Sequence, residues 1–572
     1  MGPGPIKALL FVFAIICCIP ETIYSDGVLP AELRNGDRIV FVGDSITERT
    51  GYTNYVESYL ALRYPQAGFT FFKAGWSGED SGKLSSRLNR DVFILNPTLV
   101  TLCYGINDLP DLPWTDEIGQ TFGRNMKSLI RAFKDKRIKV IVLTPSIFGP
   151  KYRNVAEKSF NMKKLSAVAI KTANEEGVTV FDLNSFMTDI QTVGLKQDKN
   201  FNKMFEEDAV HPSPSGHLVM AYALLSALGV PQMKKESDLK LVSSGLNENV
   251  YTFKLEEQPF FIDYESRQIL DLLPFMQNYN KITLKIPGNI KQLAYIRFAG
   301  ETRGQFLSKN EIINGIDLGS MWDSPPMRQA EWINLITNVK EETYLNLWRT
   351  LGLNHEIWKD GLYARKFHET GITASKNMDM LRKSEVVSLK KEFEVSLRYF
   401  SVPKESINDG GFITCWSGVG PFSEKLPESD EAEFTSDPRK LSPDWFTVIL
   451  DSKLVRDNLG SWFTNRSKST AFLYTIIESP VSQLAVLSAG VDDSFKLWLN
   501  GEMTLQGSNN SVVGAKIDEF SKKVFLYKGP NYMMVRVNNK IDAFGFSLKV
   551  SGNKEPIISM PPTLQTLIKE YR

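Results

Sequence analysis

The sequence predicts an α/β fold for its first part, a mixed α and β region after it, and an all-β sandwich of the jelly-roll type near its end. Three observations lead to this prediction. Short β-branched runs alternate with longer helical patterns as far as Val230, the pattern becomes mixed after Pro231, and short strand-like runs follow one another from Asp409. Because alternating strands and helices build a parallel sheet between helices, we expect three layers, α/β/α, in the first part.

Five runs in the first part are typical of strands buried on both faces, because they are short and almost wholly apolar. Ligands of such sheets bind beyond the carboxyl ends of the strands, which is where we look for chemistry. The predicted strands are Arg38 to Gly43, Phe69 to Ala74, Thr98 to Gly105, Ile138 to Pro145 and Val178 to Leu183, and the predicted helices include Tyr52 to Tyr64, Asp116 to Lys134 and Phe160 to Glu176.

The later parts carry no chemical motif. The strand-like pieces KITLKIPG and QLAYIRFAG precede two helical stretches, Arg328 to Leu351 and Arg365 to Phe400, and we expect a structural extension packed on the first domain. In the last block, Asn500-Gly501 between apolar runs predicts a hairpin or a turn. The predicted boundaries are 1–25 for a signal peptide, 26–232 for the α/β domain, 233–405 for the extension, 406–553 for the sandwich and 554–572 for a tail.

The amino-terminal residues are typical of a secretory signal peptide. Lys7 is followed by an apolar run from Ala8 to Ile19, and a small residue at Ser25 suits cleavage. A membrane anchor or a lipid on Cys17 or Cys18 is the less favoured alternative. No later segment has the length and apolarity of a membrane span, so we expect a secreted or periplasmic protein without a stable span in its mature chain.

Composition excludes several other classes. The 572 residues carry a formal net charge of +1 with mixed signs, so the chain has no basic stripe for nucleic acid. The four histidines have no metal-ligand spacing, and we expect neither metal nor cofactor. Cys103 and Cys415 are expected to be buried free thiols. The oligomeric state is left open.

Polar residues at the predicted strand ends provide the parts of a nucleophilic hydrolase. Ser45 is a nucleophile that needs a base, His211 is suited to take its proton, and Asp208 three residues earlier is placed to orient the imidazole. The backbone N–H groups of Ser45 and Gly75 and the side-chain amide of Asn107 are candidate donors for an oxyanion hole.

Structural explanations exist for each motif taken alone. Gly43-Asp44-Ser45 is also typical of a turn and helix cap, and Asp208 is a candidate cap for a helix after His211. We expect Asp44 to be a local structural residue and His217 to pack behind the site. Trp76 and Tyr104 are candidates for the pocket wall, although aromatic residues more often lie in a core.

The motifs together resemble the GDSL, or SGNH, hydrolase family in its bacterial exported form. The strings RIVFVGDSITE, KAGWSGEDS, YGINDLPD and DAVHPSPSGHLVMA carry the resemblance over about Asp37 to Val230. It implies a five-stranded parallel sheet between helices, with Ser45, Gly75, Asn107 and His211 at the family's four positions and Asp208 beside the histidine. The end of the chain, from ITCWSGVGPF onwards, more weakly resembles galactose-binding-like sandwich domains, although packing is favoured over sugar binding for Trp416, Trp498 and Phe546.

The resemblance implies an exported serine esterase that forms an acyl-enzyme on Ser45. Its expected partner is an ester substrate, and O-acetyl groups on polysaccharide are the favoured one. A lipase or lysophospholipase, or a short-chain acyl esterase, is the first alternative. A catalytically inactive, glycan-binding scaffold is the second.

Overall fold

A computed structural model describes the chain in two compact units. The described residues are 29–110, 113–245, 248–288, 293–301, 304–307, 309–353, 361–400, 411–423, 446–450, 458–460, 462–463, 468–509, 518–540, 544–552 and 558–560. The first unit comprises residues up to Gln232 together with Phe260–Phe275 and Ala330–Leu389, and the second comprises Met233–Pro259, Met276–Gln329 and the chain from Lys390 onwards.

The first unit is built on a five-stranded parallel sheet. Its strands lie in the order β2-β1-β3-β4-β5. The buried apolar runs form β1 (Arg38–Gly43), β2 (Thr70–Gly75), β3 (Leu99–Cys103), β4 (Lys139–Leu143) and β5 (Thr179–Phe181). All five strands were predicted to within two residues at both ends, because short apolar runs of this length are typical of strands in a sheet covered on both faces.

Helices follow the strands as the alternation predicted. They are α1 (Ser45–Glu48), α2 (Gly51–Arg63), α3 (Asp116–Asp135), α4 (Val155–Glu176), α5 (Leu183–Gln197) and α6 (Pro214–Ala227). Short helical turns at Lys83–Ser86, Leu88–Val92 and Phe93–Leu95 connect β2 to β3. The α/β/α prediction for this part of the chain is confirmed.

Two further pieces of chain complete the first unit. A helical turn at Ser266–Ile269 packs against α6. The long helix α9 belongs to this unit from Ala330 onwards, as does α10. The residues predicted as one extension, 233–405, are therefore divided between the two units, because the apolar faces of these helices are covered by α2 and β2. The bounds are α9 Pro325–Leu353 and α10 Gly361–Ser388.

The second unit begins with two small sheets. One has the order β11-β10-β13-β8-β7 and the other β12-β9-β6. The predicted helix from Arg365 to Phe400 is wrong in its last turns, because residues 392–400 alternate apolar and polar side chains and form a strand between β8 and β10. The elements are β6 Lys234–Asp238, β7 Lys240–Ser244, β8 Glu248–Lys254, α7 Phe275–Tyr279, β9 Lys281–Lys285, β10 Leu293–Phe298, β11 Gln305–Leu307, α8 Lys309–Asn314, β12 Ile316–Asp317, a turn at Leu318–Ser320 and β13 Glu392–Phe400.

The rest of the second unit is an all-β sandwich. A sheet in the order β15-β14-β16-β21-β18-β19, with β23 beside β16, shares one apolar core with a sheet β20-β17-β22. The strands are β14 Cys415–Ser423, β15 Phe446–Ile449, β16 Ser469–Ser479, β17 Gln483–Val491, β18 Ser494–Leu499, β19 Glu502–Ser508, β20 Phe520–Leu526, β21 Gly529–Asn539, β22 Phe546–Gly552 and β23 Ile558–Met560.

Three details of the sandwich bear on the predictions. Asn500 and Gly501 join β18 to β19 with φ of 54° and 87°, so the predicted hairpin is confirmed. Trp416 and Phe546 lie wholly in the core, and Trp498 packs against a smaller apolar cluster on the other side of the large sheet. These positions agree with the packing explanation for the three aromatic residues.

The predicted signal peptide lies outside the described residues, and so does the predicted tail apart from Ile558–Met560. In the part of the chain that the structure describes, no helix has both the length and the apolarity to cross a bilayer. Cys103 and Cys415 are buried free thiols, as expected.

Candidate active site

The turn after β1 carries Ser45 at the start of the four-residue helix α1. The side chain of Asp44 caps this helix by accepting a hydrogen bond from the Ile46 N–H at 3.0 Å. The capping explanation for Asp44 is therefore correct, and it coexists with a chemical use of Ser45. Because Ser45 is the first residue of the helix, its N–H has no partner within the helix.

A loop before α6 carries the other two predicted catalytic side chains, those of Asp208 and His211. Asp208 does not cap α6, since that helix is capped by Ser213. Instead, one carboxylate oxygen of Asp208 accepts hydrogen bonds from the Val210 and His211 N–H groups, each at 2.9 Å. The loop therefore fixes Asp208 beside the imidazole of His211.

The structure brings Ser45, His211 and Asp208 together. The Nε2 atom of His211 lies 2.9 Å from the Ser45 Oγ, and the Nδ1 atom lies 2.5 Å from the Oδ2 of Asp208. Ser45 is 9% exposed, so its side chain is mostly buried. This is the geometry by which an imidazole takes a proton from a hydroxyl while a carboxylate holds its other nitrogen.

The carboxylate of Asp208 stays ionised at neutral pH. Partial burial opposes its ionisation, but the hydrogen bonds from the His211 side chain and from the two backbone N–H groups outweigh burial and lower the pKa of Asp208 to about 2. A carboxylate that remains charged is the acceptor that a protonated imidazole needs.

The predicted oxyanion donors lie at the ends of the strands beside β1. Gly43 is paired with Gly75 of β2 and with Cys103 of β3. The residues that follow Gly75 and Cys103 therefore leave the sheet at the same edge as Ser45, which follows Gly43. At Gly75 a Cβ atom would come within 2.3 Å of the Glu48 backbone N, and only glycine allows α1 to pack so closely on β2. The Asn107 side chain donates one hydrogen bond to the Glu79 carbonyl at 3.0 Å, and its amide has a second N–H.

His217 lies behind the serine turn, as predicted. Its Nδ1 atom accepts a hydrogen bond from the Tyr52 N–H at 3.2 Å, and the two rings stack with centroids 6.3 Å apart. The Tyr52 hydroxyl in turn contacts the Thr47 Oγ1 at 2.9 Å. Burial, together with the charges of Arg49 and His211, lowers the pKa of His217 to about 3, so this histidine stays neutral and structural.

Of the two aromatic residues considered for the pocket wall, Tyr104 is only 1% exposed, and its hydroxyl donates to the Glu79 carboxylate at 2.6 Å. It belongs to the core. Trp76 is partly exposed, and the guanidinium groups of Arg87 and Arg90 lie over its ring at 5.7 and 5.3 Å.

Several polar residues around the site were not predicted. Arg49 pairs with Glu206 and links the Ser45 helix to the His211 loop, while Glu48 accepts a hydrogen bond from the Ser77 N–H at 2.6 Å. A buried group of Glu79, Arg87 and Asp91 lies next to Asn107 and Trp76. The sequence holds one signal for that group, the arginine and aspartate four residues apart in RLNRD, but such pairs are usually exposed on a helix.

Ligand atoms of Glu206, Asp208 and His211 lie within 4.8 Å of one another, a spacing that could hold a metal ion. However, both ring nitrogens of His211 already face Ser45 and Asp208, and Glu206 pairs with Arg49. These contacts suit a serine hydrolase better than a set of metal ligands.

Comparisons with a protein-family model and with known proteins find similarity to acylhydrolases and esterases. The GDSL-like Lipase/Acylhydrolase family matches residues 41–219. An acetylxylan esterase of Geobacillus stearothermophilus is 27% identical over 220 residues, which cover 35% of this chain and 96% of that protein. A crystal structure of an acetylxylan esterase from that organism is similar at 25% identity and a TM-score of 0.30, over 35% of this chain and 96% of that chain.

A structure of a gut microbial diltiazem-metabolizing enzyme is similar over 65% of this chain and 100% of that chain, at 19% identity and a TM-score of 0.54. At this identity the likeness concerns the fold alone. The matched residues 41–219 include Ser45, Gly75, Asn107, Asp208 and His211. The chain therefore contains a domain of the GDSL-like lipase/acylhydrolase family and is a hydrolase that acts on ester bonds.

Proposed function

We propose that the first unit is an exported serine esterase whose substrate is O-acetylated polysaccharide. In this proposal Ser45 is the nucleophile, His211 the general base and Asp208 the carboxylate that orients the imidazole. The observation that carries the roles is the position of His211, with its two ring nitrogens 2.9 Å from the Ser45 hydroxyl and 2.5 Å from the Asp208 carboxylate.

The reaction has two halves. As the Ser45 Oγ attacks the ester carbonyl, its proton passes to the Nε2 of His211, and the tetrahedral species collapses when that proton is given to the leaving alcohol. The acyl group is then held on Ser45. A water molecule gives a proton to the same nitrogen, attacks the acyl carbon and releases the acid, and the returned proton restores the Ser45 hydroxyl.

The developing negative oxygen requires hydrogen-bond donors. We assign the backbone N–H groups of Ser45 and Gly75 and the free N–H of the Asn107 amide to this task. Donors of this kind typically lower the barrier by about 3 kcal/mol each. The strand pairing of Gly43 with Gly75 and Cys103 supports the assignment, because it brings all three donors to one edge of the sheet.

The substrate class rests on different support. An acetylxylan esterase is similar to this chain over 96% of its own length. The amino-terminal apolar run favours export, which suits a polysaccharide substrate outside the cell. We therefore favour acetyl esters of polysaccharide over lysophospholipid or other short acyl esters, and a secreted or periplasmic location.

The first experiment tests whether Ser45 is a nucleophile. A fluorophosphonate probe is expected to label the wild-type protein, and labelling and hydrolysis of p-nitrophenyl acetate are expected to disappear in Ser45→Ala. Ser185→Ala, which changes an exposed serine of α5, serves as the matched control and keeps both. A wild-type protein that takes up no probe would identify the domain as an inactive scaffold.

The second experiment separates the substrate classes. Acetate release from acetylated xylan is compared with fatty-acid release from a lysophospholipid at equal enzyme concentration. We expect acetate release to be faster by at least about tenfold. Faster release of fatty acid would replace the polysaccharide substrate with a lipid one while the role of Ser45 stands.

A further inference from the structure

Helix α9 supplies a tryptophan that packs on Trp76, the residue after the predicted oxyanion donor Gly75, although this helix lies outside the residues that match the hydrolase family. Trp348 is 2% exposed and its indole N–H donates a hydrogen bond to the Asp91 Oδ1 at 3.2 Å. Asp91 is fully buried. Both oxygens of Asp91 also accept hydrogen bonds from Arg90, at 2.6 and 2.7 Å, so the Trp348 N–H is one of the donors that hold this buried carboxylate.

From Asp91 the contacts continue to Asn107. The second oxygen of Asp91 faces the Arg87 Nη1 at 3.4 Å, and the Arg87 Nε donates to the Glu79 Oε1 at 2.7 Å. The backbone carbonyl of Glu79 then accepts the hydrogen bond from the Asn107 amide at 3.0 Å. A series of polar contacts, buried as far as Glu79 and part-buried at Asn107, thus joins Trp348 to a proposed oxyanion donor.

Trp348 also supports the other oxyanion donor through direct packing. Its ring meets the ring of Trp76 edge to face, with centroids 5.6 Å apart and planes at 79°. Trp76 is the residue after Gly75, and its own N–H donates to the Gly43 carbonyl at 3.0 Å. A displaced Trp76 ring would therefore disturb the end of β2, where the Gly75 N–H lies.

We propose that Trp348 is a positioning residue for the oxyanion hole, an inference that rests on the proposed esterase function. It touches no reacting atom. It holds the Asn107 amide through Asp91, Arg87 and Glu79, and it holds the end of β2 through Trp76. Since donors stabilise the transition state only at the correct distance and angle, loss of this support lowers kcat more than it changes KM.

The test replaces the indole by a benzene ring. Trp348→Phe keeps an aromatic ring but removes the N–H donor to Asp91. We expect kcat for p-nitrophenyl acetate to fall by about tenfold while KM stays within about twofold. The matched control is Trp332→Phe in the same helix, because Trp332 is 49% exposed and its indole N–H also donates to a carboxylate, that of Glu385 at 3.1 Å. Its kcat is expected to stay within about twofold of wild type.

A double-mutant cycle with Asn107→Ala separates positioning from general destabilisation. Because Trp348→Phe keeps a ring against Trp76 and removes only the N–H, its effect must pass through Asn107, and it is expected to lower kcat by less than about threefold in the Asn107→Ala background. An equal loss in both backgrounds, or a wild-type kcat in Trp348→Phe, overturns the inference. Ser45→Ala run beside them tells the two failures apart, since residual hydrolysis in that variant sinks the proposed nucleophile whatever the tryptophan does.

Discussion

Asp44 directly precedes Ser45 and Asp208 contacts His211, yet the pKa values of these two carboxyl groups move in opposite directions. Burial, reinforced by the charges of Asp108 and Glu79 and opposed by the hydrogen bond from the Ile46 N–H, raises the pKa of Asp44 to about 7. Asp208 lies in a more exposed loop, and hydrogen bonds lower its pKa to about 2. Asp208 is therefore suited to stay charged beside a protonated His211, whereas Asp44 is suited to the structural role of a helix cap.

The Asp44 carboxyl makes the stability of the first unit depend on pH. Because its pKa is raised on folding, the folded protein holds a proton that the unfolded chain has released between about pH 4 and about pH 7, and stability falls as pH rises through that window. In Asp44→Asn the cap remains but the titration is lost. We expect the free energy of unfolding of Asp44→Asn, relative to wild type, to increase by about 3 kcal/mol from about pH 4.5 to about pH 8.

Chemical denaturation of both proteins across this pH range measures the difference. Asp189→Asn, a change at an exposed residue of α5, is the control and is expected to run parallel to wild type. Parallel curves for Asp44→Asn as well would show that burial does not control the ionisation of Asp44.

The sequence predicted Ser45, Asp208 and His211 because their types are unusual at the ends of buried strands and in one short loop. It did not predict Glu79, Arg87 or Trp348. A charged residue is normally exposed, and it is buried only where groups of opposite charge or hydrogen-bonding groups offset the loss of water. Those partners are distant in the chain, and for Trp348 the Asp91 carboxylate lies 257 positions away.

At the scale of elements, α9 and α10 are joined to α2 and β2 by a buried cluster of six charges. Lys340 faces Glu57 at 2.6 Å, Asp379 at 2.9 Å and Glu341 at 3.4 Å. The remaining pairs are Lys73 with Glu341 at 3.1 Å and Arg382 with Glu57 at 2.5 Å and with Asp379 at 2.6 Å. Three cations and three anions are thus balanced, which is the condition under which buried charges are tolerated.

Lys340→Met tests the cluster. This substitution removes the positive charge that faces the buried carboxylates of Glu57, Glu341 and Asp379. We therefore expect the free energy of unfolding of the first unit to fall by about 3–5 kcal/mol. Thermal and chemical unfolding measure the loss. The control Lys376→Met, at an exposed position of α10, is expected to change stability by less than about 0.5 kcal/mol. A Lys340→Met protein as stable as wild type would mean that the cluster does not hold the helices in place.

Two elements show where local patterns mislead. Residues 392–400 follow a long charged helix, so the prediction continued the helix through them, but pairing with β8 and β10 decides for a strand. The strand β16 was not predicted, although it is the most extensively paired strand of the sandwich, with β14, β21 and β23 as partners. Its strand character depends on neighbours that are far away in sequence.

At the scale of the whole molecule, the matched hydrolase domain is not a separable piece of chain. The acetylxylan esterase relative matches over nearly its whole length, whereas here the same region buries Glu57 and Lys73 against residues beyond 330. We therefore predict that a chain ending at Gln232 is poorly folded, because it exposes the apolar faces of α2 and β2 and leaves these charges without partners.

Near-ultraviolet circular dichroism and size-exclusion chromatography of this fragment, beside the full chain, give the measurement. We expect weak tertiary signals, aggregation and less than about a tenth of the esterase activity. A monodisperse fragment with the activity of the full chain would contradict the prediction and would show that α9 and α10 are dispensable.

The interleaving of the two units along the chain has a consequence for synthesis. A ribosome that has reached residue 232 has made Glu57 and Lys73 but not Lys340, Glu341 or Arg382, and it makes strands β6 to β12 of the second unit before those partners appear. The first unit therefore stays incompletely folded while part of the second unit is synthesised. Neither unit can complete its fold before about residue 400 has left the exit tunnel. We therefore expect the wild-type chain to depend on chaperones during translation more than a hydrolase domain made of one contiguous segment does.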